Sequence, residues 1–479
     1  MPLGGVSVLL CGLSACGEHS LGKSFAAVLD DSPPVILITG DSLRRDHLGC
    51  YGYFRETSPN IDAFANESVV FERAVASMAT TLPSHLTMLT GLYAHQHGMT
   101  SNHMAARSPF QPAEGRRSVA QILAAEGYRT AAFVSSAPVS EQTGIGAGFG
   151  EFDGPKKRVR KGKQTTDEVL AWLDQVDLQR PFFLWVHFWE PHDPNRPPEP
   201  YASMFTADSD LDDWIASCGV DRAAVAMAFK GQKTSELKRF LNEEEPDFDA
   251  AEIRDAFNRY DGDVRYLDDC VGRILAKLRE RGLWERSIIA FAGDHGQALG
   301  EHGWLGHATI IDVNVFVPLI LRFPDGILAQ PRRLEPLVSL VDLMPTVLAR
   351  IPGGARWVFI EQAEGEDILS SRFERTHVLT QQTDRVLCVP SLSGRRHALF
   401  EDRWKLVRKP GHPASLFDLE DRGEGWDVAD LHPDVVQDLE TTLDSLLTRQ
   451  DFGTRKDNTG ERSEEFVEAL RELGYAGDE

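Results

Sequence analysis

Cysteine is scarce in this sequence, with only six residues among 479. No two of them form a C-x-x-C pair, which excludes a zinc ribbon or a thioredoxin-like redox motif as the basis of function. Beyond the N-terminal segment the cysteines are widely scattered, a distribution more typical of free buried thiols than of a disulfide framework. These four are Cys50, Cys218, Cys270 and Cys388.

Positive charge is also in short supply, because 50 Lys and Arg stand against 73 Asp and Glu, a formal net charge of −23 at pH 7. Like charges repel, so we expect no nucleic-acid partner and no unspecific binding to anionic membranes. One basic run, P-K-K-R-V-R-K-G-K at 155–163, departs from this pattern. It is either a surface that collects an anionic substrate or a solvated loop.

Long apolar runs are missing as well, since no segment is hydrophobic over the roughly 20 residues that a membrane-spanning helix needs. The first 16 residues contain a short apolar stretch typical of a signal peptide. Within it, L-S-A-C ending at Cys16 resembles a bacterial lipobox. We predict a leader over 1–16, lipidation and membrane attachment at Cys16, and export to the periplasm or cell envelope as a lipoprotein. Residues 1–5 lack Lys and Arg, so a misassigned start codon or a merely apolar N-terminus are the alternatives.

Several apolar, β-branched runs of strand length are present instead, and their apolarity is continuous rather than alternating. Continuous apolarity indicates strands buried on both faces, and helical patterning between them favours an α/β fold with a large, mostly parallel sheet between helices. The predicted strands are 35–39, 130–134, 182–188, 287–292 and 316–322. The predicted helices between them include 119–126, 166–175 and 264–281.

The pattern divides the chain behind the leader into two parts. We predict a catalytic domain over 34–350, with an acidic insertion at 201–246 that is either a lid or a surface excursion. Shorter strands follow at 397–400, 404–407 and 415–419, and a last helix at 463–473. We therefore predict a C-terminal subdomain over 351–479 built on a small antiparallel sheet.

Acidic and imidazole side chains follow two of the predicted strands. Asp41 comes directly after the first strand, where it is either a metal ligand or a helix N-cap. Asp294 and His295 follow a later strand between two glycines, which let the backbone turn sharply. Because the carboxyl ends of parallel strands share one edge of a sheet, the three side chains form a candidate site for one cation.

A threonine stands before the next candidate helix, in T-T-L-P-S-H-L-T-M-L-T-G at 80–91. Pro83 suits a first helical turn, which places Thr81 where free backbone N–H groups favour an anion. Beside a cation, its hydroxyl would have a lowered pKa and act as a nucleophile. The alternative is that Thr81 is only an N-cap.

These motifs, taken in order, resemble the sulfatase family of the alkaline-phosphatase superfamily over about residues 34–475. The matching segments are V-I-L-I-T-G-D-S-L-R-R-D-H-L-G-C-Y-G at 35–52, the segment 81–91, H-F-W-E-P-H-D-P at 187–194, Y-D-G-D-V-R-Y-L-D-D at 260–269 and A-G-D-H-G at 292–296.

The resemblance implies an ester hydrolase with one divalent cation held by Asp41, Asp294 and His295, and reached by Thr81. Calcium is usual in sulfatases, whereas the related phosphonate monoester hydrolases accept manganese. His192 resembles the family histidine that contacts the transferred group or protonates the leaving oxygen. His307 stands where many sulfatases have lysine and would share that task.

The sequence departs from the family pattern at three positions. Thr81 replaces the Cys or Ser that sulfatases convert to formylglycine, so no formylglycine is expected. His85 replaces the signature arginine, and Ser42 stands where a second acid follows the first Asp. His187 lies nearer the strand interior, where a structural and a functional role are both open. A single threonine hydroxyl cannot expel sulfate as formylglycine hydrate does, but phosphorylated Ser and Thr intermediates are used by related enzymes.

Three functions are compatible with the sequence. The first is hydrolysis of an anionic sulfate, phosphate or phosphonate ester, with Thr81 as nucleophile and with His85, His192 and His307 beside it. The second is transfer of a phospho group through a covalent Thr81. The third is a catalytically silent surface lipoprotein of the same fold, which the retained metal-ligand set disfavours.

Overall fold

The structure is a computed structural model, and it describes residues 32–113, 115–206, 209–218, 220, 250–302, 304–328, 331–382, 395–420, 423–448 and 463–473. The predicted leader with Cys16, the position of Cys388 and most of the insertion lie outside these residues. Lipidation at Cys16 and the lid therefore stay predictions. In the described part of the chain, Cys50, Cys218 and Cys270 are free thiols.

The secondary-structure elements are numbered here in chain order. The strands are β1 Val35–Gly40, β2 Val69–Val75, β3 Arg129–Val134, β4 Glu151–Asp153, β5 Phe182–Phe188, β6 Ile288–Gly293, β7 Ala298–Leu299, β8 Leu305–Gly306, β9 Phe316–Val317, β10 Leu319–Arg322, β11 Arg332–Ser339, β12 His377–Gln382, β13 Arg396–Glu401, β14 Trp404–Arg408 and β15 Ser415–Asp418. The helices are α1 Pro59–Ala65, α2 Thr81–Thr90, α3 Ala94–His97, α4 Asn102–Arg107, α5 Val119–Ala125, α6 Gly162–Gln175, α7 Ser209–Ser217, α8 Ala250–Glu280, α9 Asp312–Val315, α10 Leu343–Leu348, α11 Ala355–Ile360, α12 Pro433–Thr448 and α13 Glu464–Glu472.

A large mixed sheet forms the centre of the molecule, in the order β11-β2-β10-β6-β1-β5-β3-β4, with β9 beside β2. The pairs of β1 with β5 and β6, of β3 with β4 and β5, and of β11 with β2 are parallel. Strand β10 runs antiparallel to both of its neighbours. The predicted α/β class with a mostly parallel sheet is confirmed.

Each face of the sheet has its own apolar core, which explains the continuous apolar runs. On β1, Val35 and Leu37 point into one core, whereas Ile36 and Ile38 point into the other. Successive strand side chains alternate between the faces, so a strand covered on both sides needs apolar residues at every position. Helices therefore lie on both faces of the sheet.

Proline accounts for two departures from the predicted strands. The run 316–322 is interrupted at Pro318, which has no N–H for the ladder, and it forms β9 and β10 instead of one strand. Strand β11 lies at the sheet edge and contains Pro336, where its register with β2 shifts. The apolar pattern did not predict β2 and β11, because both strands carry charged residues.

A small antiparallel sheet, β12-β13-β14-β15, follows as predicted, and α12 packs on it. The last helix, α13, instead buries Phe466 and Leu470 in a core of the large sheet. Strand β12 also supports the chain that leads into α2, because the Gln381 N–H donates to the Ser77 carbonyl at 2.8 Å. The domain boundary at residue 350 stays a prediction. Among the described helices, none is long and apolar enough to cross a bilayer.

Candidate active site

Strand register brings the two predicted acidic strand tips together. Strand β1 lies between β5 and β6, with Gly40 opposite Phe188 on one side and Gly293 on the other. The ladder continues into the tips, because the Asp41 N–H donates to the Phe188 carbonyl at 3.0 Å and the Asp294 N–H to the Gly40 carbonyl at 3.3 Å. The carboxylates therefore emerge side by side.

The turn after β6 requires glycine for close packing. A Cβ atom on Gly296 would lie 2.0 Å from the Val313 carbonyl oxygen, a distance that no side chain tolerates. The chain can consequently fold back directly after the Asp294-His295 pair. This is the sharp turn that the flanking glycines predicted.

Asp41, Asp294 and His295 are fully buried, and their ligand atoms lie within 4.8 Å of one another. The His295 Nδ1–H donates to the Gly296 carbonyl at 3.0 Å, which leaves the lone pair on Nε2. This Nε2 lies 3.6 Å from Asp41 Oδ1 and 3.5 Å from Asp294 Oδ2. Two carboxylate oxygens and one imidazole nitrogen thus face one another across a short gap.

The electrostatics of this three-residue cluster favour a cation. Burial raises the pKa of Asp41 well above its usual range, although the hydroxyls of Ser42 and Thr81 act in the opposite direction. Burial, followed by repulsion from Asp41, raises the pKa of Asp294 to about 7. Asp41 Oδ2, Asp294 Oδ2 and His295 Nε2 have no hydrogen-bond partner among the described residues. Such buried atoms need a compensating charge, so the donor set fits a divalent ion.

Ser42 occupies the position of the second family acid and contributes hydrogen bonds instead of charge. Its backbone is left-handed, with φ at 61°, a conformation that is strained for a non-glycine residue. In this conformation its N–H donates to Asp294 Oδ1 at 3.0 Å. Its hydroxyl lies 3.3 Å from Asp41 Oδ1. Ser42 therefore orients both carboxylates.

Thr81 is the first residue of α2 and is fully buried, whereas Thr80 holds the N-cap position. The cap contact comes from another helix, because Asn102 Oδ1 accepts from the Leu82 N–H at 2.8 Å. This bond turns Asn102 Nδ2 toward the Thr81 hydroxyl, at 3.5 Å. Sequence reasoning missed Asn102, since no motif surrounds it and only the fold brings it to α2.

His85 lies one helical turn after Thr81, on the inner side of the site. Its Nδ1–H donates to the Thr81 carbonyl at 2.8 Å and lies 3.5 Å from Asp294 Oδ2. Its Nε2 lies 3.0 Å from the Thr39 hydroxyl. The ring therefore contacts the backbone of Thr81 and a carboxylate, and it supports the start of α2.

His187, on β5, faces the same cluster from the neighbouring strand. The Ser135 N–H donates to its Nδ1 at 3.3 Å, so the neutral ring carries its proton on Nε2. That Nε2 lies 3.5 Å from Asp41 Oδ2. This geometry favours a supporting role for His187, which would position the Asp41 carboxylate.

His192 and His307 meet beside the three-residue cluster. The His192 Nδ1–H donates to the Asp193 carbonyl at 2.5 Å, and the His307 Nδ1–H donates to the Ala79 carbonyl at 3.1 Å. Their Nε2 atoms lie 3.1 Å apart. The His307 ring also stacks on His295, with 4.7 Å between ring centroids. All the predicted site residues from Asp41 to His307 therefore lie in one region.

Burial keeps most of these imidazoles neutral near pH 7, because it disfavours the charged ring. The pKa is lowered to about 3 for His85 and to about 4 for His187, His295 and His307, in each case chiefly by burial. A neutral imidazole has one N–H donor and one nitrogen lone pair, so it ligates a metal or orients a partner rather than attracting anions by charge.

Known proteins share both the sequence pattern and the fold. A family model described as Sulfatase matches residues 33–353, more than half of the chain. An arylsulfatase from Clostridium perfringens is 23% identical over 375 residues, covering 66% of this chain and 74% of that protein. An N-acetylglucosamine-6-O-sulfatase from Bacteroides thetaiotaomicron is 26% identical over 384 residues, covering 66% and 67%. The phosphonate monoester hydrolase of Agrobacterium radiobacter has a similar fold, with a TM-score of 0.67 at 22% identity over 86% of this chain and 95% of that one.

The fold, the three-residue cluster and these matches together define the class of the protein. The chain is an ester hydrolase. The family match then makes the assignment narrower: the chain belongs to the sulfatase family, within the alkaline-phosphatase superfamily. That family depends in general on a divalent metal, which agrees with the donor set at Asp41, Asp294 and His295.

Proposed function

We propose that the chain is a metal-dependent hydrolase of phosphate, phosphonate or sulfate esters, with Thr81 as the nucleophile. The observation that carries this proposal is the position of the Thr81 hydroxyl. It lies at the start of a buried helix, it is one of the groups that act to lower the pKa of Asp41, and it faces the Asn102 amide. A threonine in this place has no structural task as an N-cap, because Thr80 holds that position.

Asp41, Asp294 and His295 would hold the divalent ion, calcium or manganese by resemblance to the family. The bound ion would supply positive charge that lowers the pKa of the Thr81 hydroxyl and attracts the anionic ester. Other residues of the chain orient these groups. Ser42 fixes both carboxylates, and Asn102 holds the hydroxyl in place.

The proposed reaction has two displacement steps at the transferred group. The Thr81 oxygen, after losing its proton to solvent, forms a bond to phosphorus or sulfur as the bond to the leaving alcohol oxygen breaks. The leaving oxygen takes up a proton from solvent as it departs beside His192 and His307, which contact each other, and the His307 ring stacks on His295. Water then displaces the Thr81 oxygen, which takes up a proton as its hydroxyl is restored, and phosphate, phosphonate or sulfate is released.

The single hydroxyl of Thr81 favours phosphoryl and phosphonyl groups over sulfuryl groups. A formylglycine hydrate clears its sulfated form through a second hydroxyl on the same carbon, and threonine has none. A phosphorylated threonine is instead cleared by water. The names of the relatives, which include sulfatases and a phosphonate monoester hydrolase, support an ester of one of these acids.

A substrate panel tests this proposal. Purified protein is assayed on an aryl sulfate, a phosphate monoester, a phosphodiester and a phosphonate monoester, with calcium, with manganese and with chelator. We expect metal-dependent turnover of a phosphate or phosphonate ester that exceeds sulfate turnover by at least about tenfold. Turnover of aryl sulfate alone would contradict the argument from Thr81. Product formation only when an alcohol acceptor is added would favour the transferase.

We also propose that the chain is exported and attached to a membrane through lipidated Cys16. The lipobox-like L-S-A-C and the apolar stretch before it support this location. Metabolic labelling with a palmitate analogue, in a bacterial host, is expected to mark the wild-type chain and not the Cys16→Ala variant. Equal labelling of the two chains would refute the anchor.

A further inference from the structure

The contact between His192 and His307 needs a positive charge between the rings. Both Nδ1 atoms face backbone carbonyls, which only accept hydrogen bonds, so both Nδ1 atoms carry protons. In the neutral rings each Nε2 then has a lone pair, and these atoms are 3.1 Å apart. Two lone pairs at that distance repel unless a proton or a metal ion lies between them.

A third donor lies close to this pair, because Asp193 Oδ1 is 3.3 Å from His192 Nδ1. The ligand atoms of His192, Asp193 and His307 all lie within 4.8 Å of one another. Asp193 is held in place, because its N–H donates to Gln297 Oε1 at 3.0 Å, and its side chain is only 12% exposed. A shared proton would not require a carboxylate, whereas a divalent cation would gain charge compensation from it.

The distances suit a metal ion bound to both rings. Two nitrogens that each bind one zinc ion at about 2.0 to 2.1 Å lie about 3.3 Å apart when the bonds are tetrahedral. The observed Nε2 separation of 3.1 Å is close to this value. The rings are also held from outside the pair, since His192 stacks on Trp189 with 3.8 Å between centroids and His307 stacks on His295.

We propose that His192, Asp193 and His307 form a second cation site, adjacent to the site at Asp41, Asp294 and His295. Two imidazoles and one carboxylate favour a borderline ion such as zinc over calcium, which prefers oxygen ligands. The proposal rests on the proposed function in one respect, because it changes what meets the leaving oxygen. The group there is a metal ion held by two imidazoles and not an N–H.

A second ion would also replace positive charge that the sequence lacks. The family lysine is represented by His307 and the signature arginine by His85, both of which burial keeps neutral. Asp193 meanwhile adds a negative charge that repels the charged form of Asp41 in the first cluster. A second cation neutralises that charge and lets the site accept an anionic ester.

Metal counting in the absence of substrate tests the second site. The full chain is stripped of metal with chelator, incubated with excess zinc, passed through a desalting column and analysed by mass spectrometry for zinc per chain. We expect about two zinc ions for the wild type and about one for His307→Lys, since an ammonium group does not ligate zinc. Calcium in place of zinc is expected to fill only one site.

Three further variants keep the result interpretable. His192→Gln is expected to lose one zinc ion as well, which guards against misfolding of a single variant. His302→Ala removes a more exposed histidine near Glu424 and should keep about two. Thr81→Ala should also keep two, because it removes none of the proposed ligands. A wild-type chain that binds two zinc ions but turns over no ester of the substrate panel would refute the proposed function alone. One zinc ion in the wild type and an unchanged count in His307→Lys would overturn the second site and assign a shared proton to the pair.

Discussion

Asp294→Ala is expected to abolish both turnover and binding of the calcium or manganese ion at the strand tips. Asp294 contributes one of three converging donor atoms, and the two that remain cannot balance the charge of a divalent ion in a buried site. Removing a bound metal takes away several kcal/mol of charge stabilisation, which corresponds to at least about a thousandfold in turnover. Elemental analysis after dialysis against the ion measures the first effect, and a steady-state assay measures the second.

A graded variant distinguishes loss of a ligand from damage to the fold. His187→Ala leaves all three ligands but removes the N–H that faces Asp41 Oδ2. Groups that orient a metal ligand typically contribute about 10- to 100-fold in affinity, so we expect an intermediate loss. His397→Ala is the matched control, since His397 is also buried but lies in β13 of the small sheet. Its ion affinity should equal that of the wild type.

The site assignment fails if Asp294→Ala retains as much calcium or manganese as the wild type. An equal loss in the His397→Ala control would instead show that metal content reports general stability. Thermal melting of each variant separates these cases, because a bound ion raises the melting temperature only of proteins that bind it.

The residues at the strand tips could be predicted from the sequence, because a local apolar pattern marks each strand and the sheet topology brings the strand ends together. A continuous apolar run marks a buried strand, and the polar residue directly after it must lie at the sheet edge. Asp41 and Asp294 follow such runs, and parallel register with neighbouring strands brings them together. The glycines around the Asp-His pair add the turn, so both the sheet and the cluster follow from short segments.

The supporting residues could not be predicted from the sequence, because they depend on contacts between segments that are distant along the chain. Asn102 caps α2 from another helix, and the contact depends on how two helices pack. The tautomer of His187 depends on the N–H of Ser135 on the adjacent strand segment. Buried Arg44 joins the loop after β1 to Glu301 at 2.6 Å, across more than two hundred residues. No local pattern encodes such contacts.

Thr81→Ala is expected to lower turnover by roughly four orders of magnitude or more, as removal of a covalent nucleophile does elsewhere. The metal content should stay at the wild-type level, because Asp41, Asp294 and His295 are unchanged. We expect little loss of stability. Thr80, not Thr81, occupies the N-cap position, Asn102 accepts from the Leu82 N–H, and the change removes only a small buried group.

Two measurements decide whether Thr81 carries the transferred group. Thr81→Ser retains a hydroxyl and should keep measurable turnover, whereas Thr81→Ala should not. Acid quenching of the wild-type enzyme during turnover, followed by peptide mass spectrometry, is expected to find phosphate or phosphonate on the peptide that contains Thr81. If Thr81→Ala turned over substrate as fast as the wild type, Thr81 would have only a structural role at the start of α2. The nucleophile would then have to be water. The hydroxyl, the ligands and the Asn102 amide belong to different elements of the fold, and their convergence at one buried threonine is the arrangement that the proposed nucleophilic role requires.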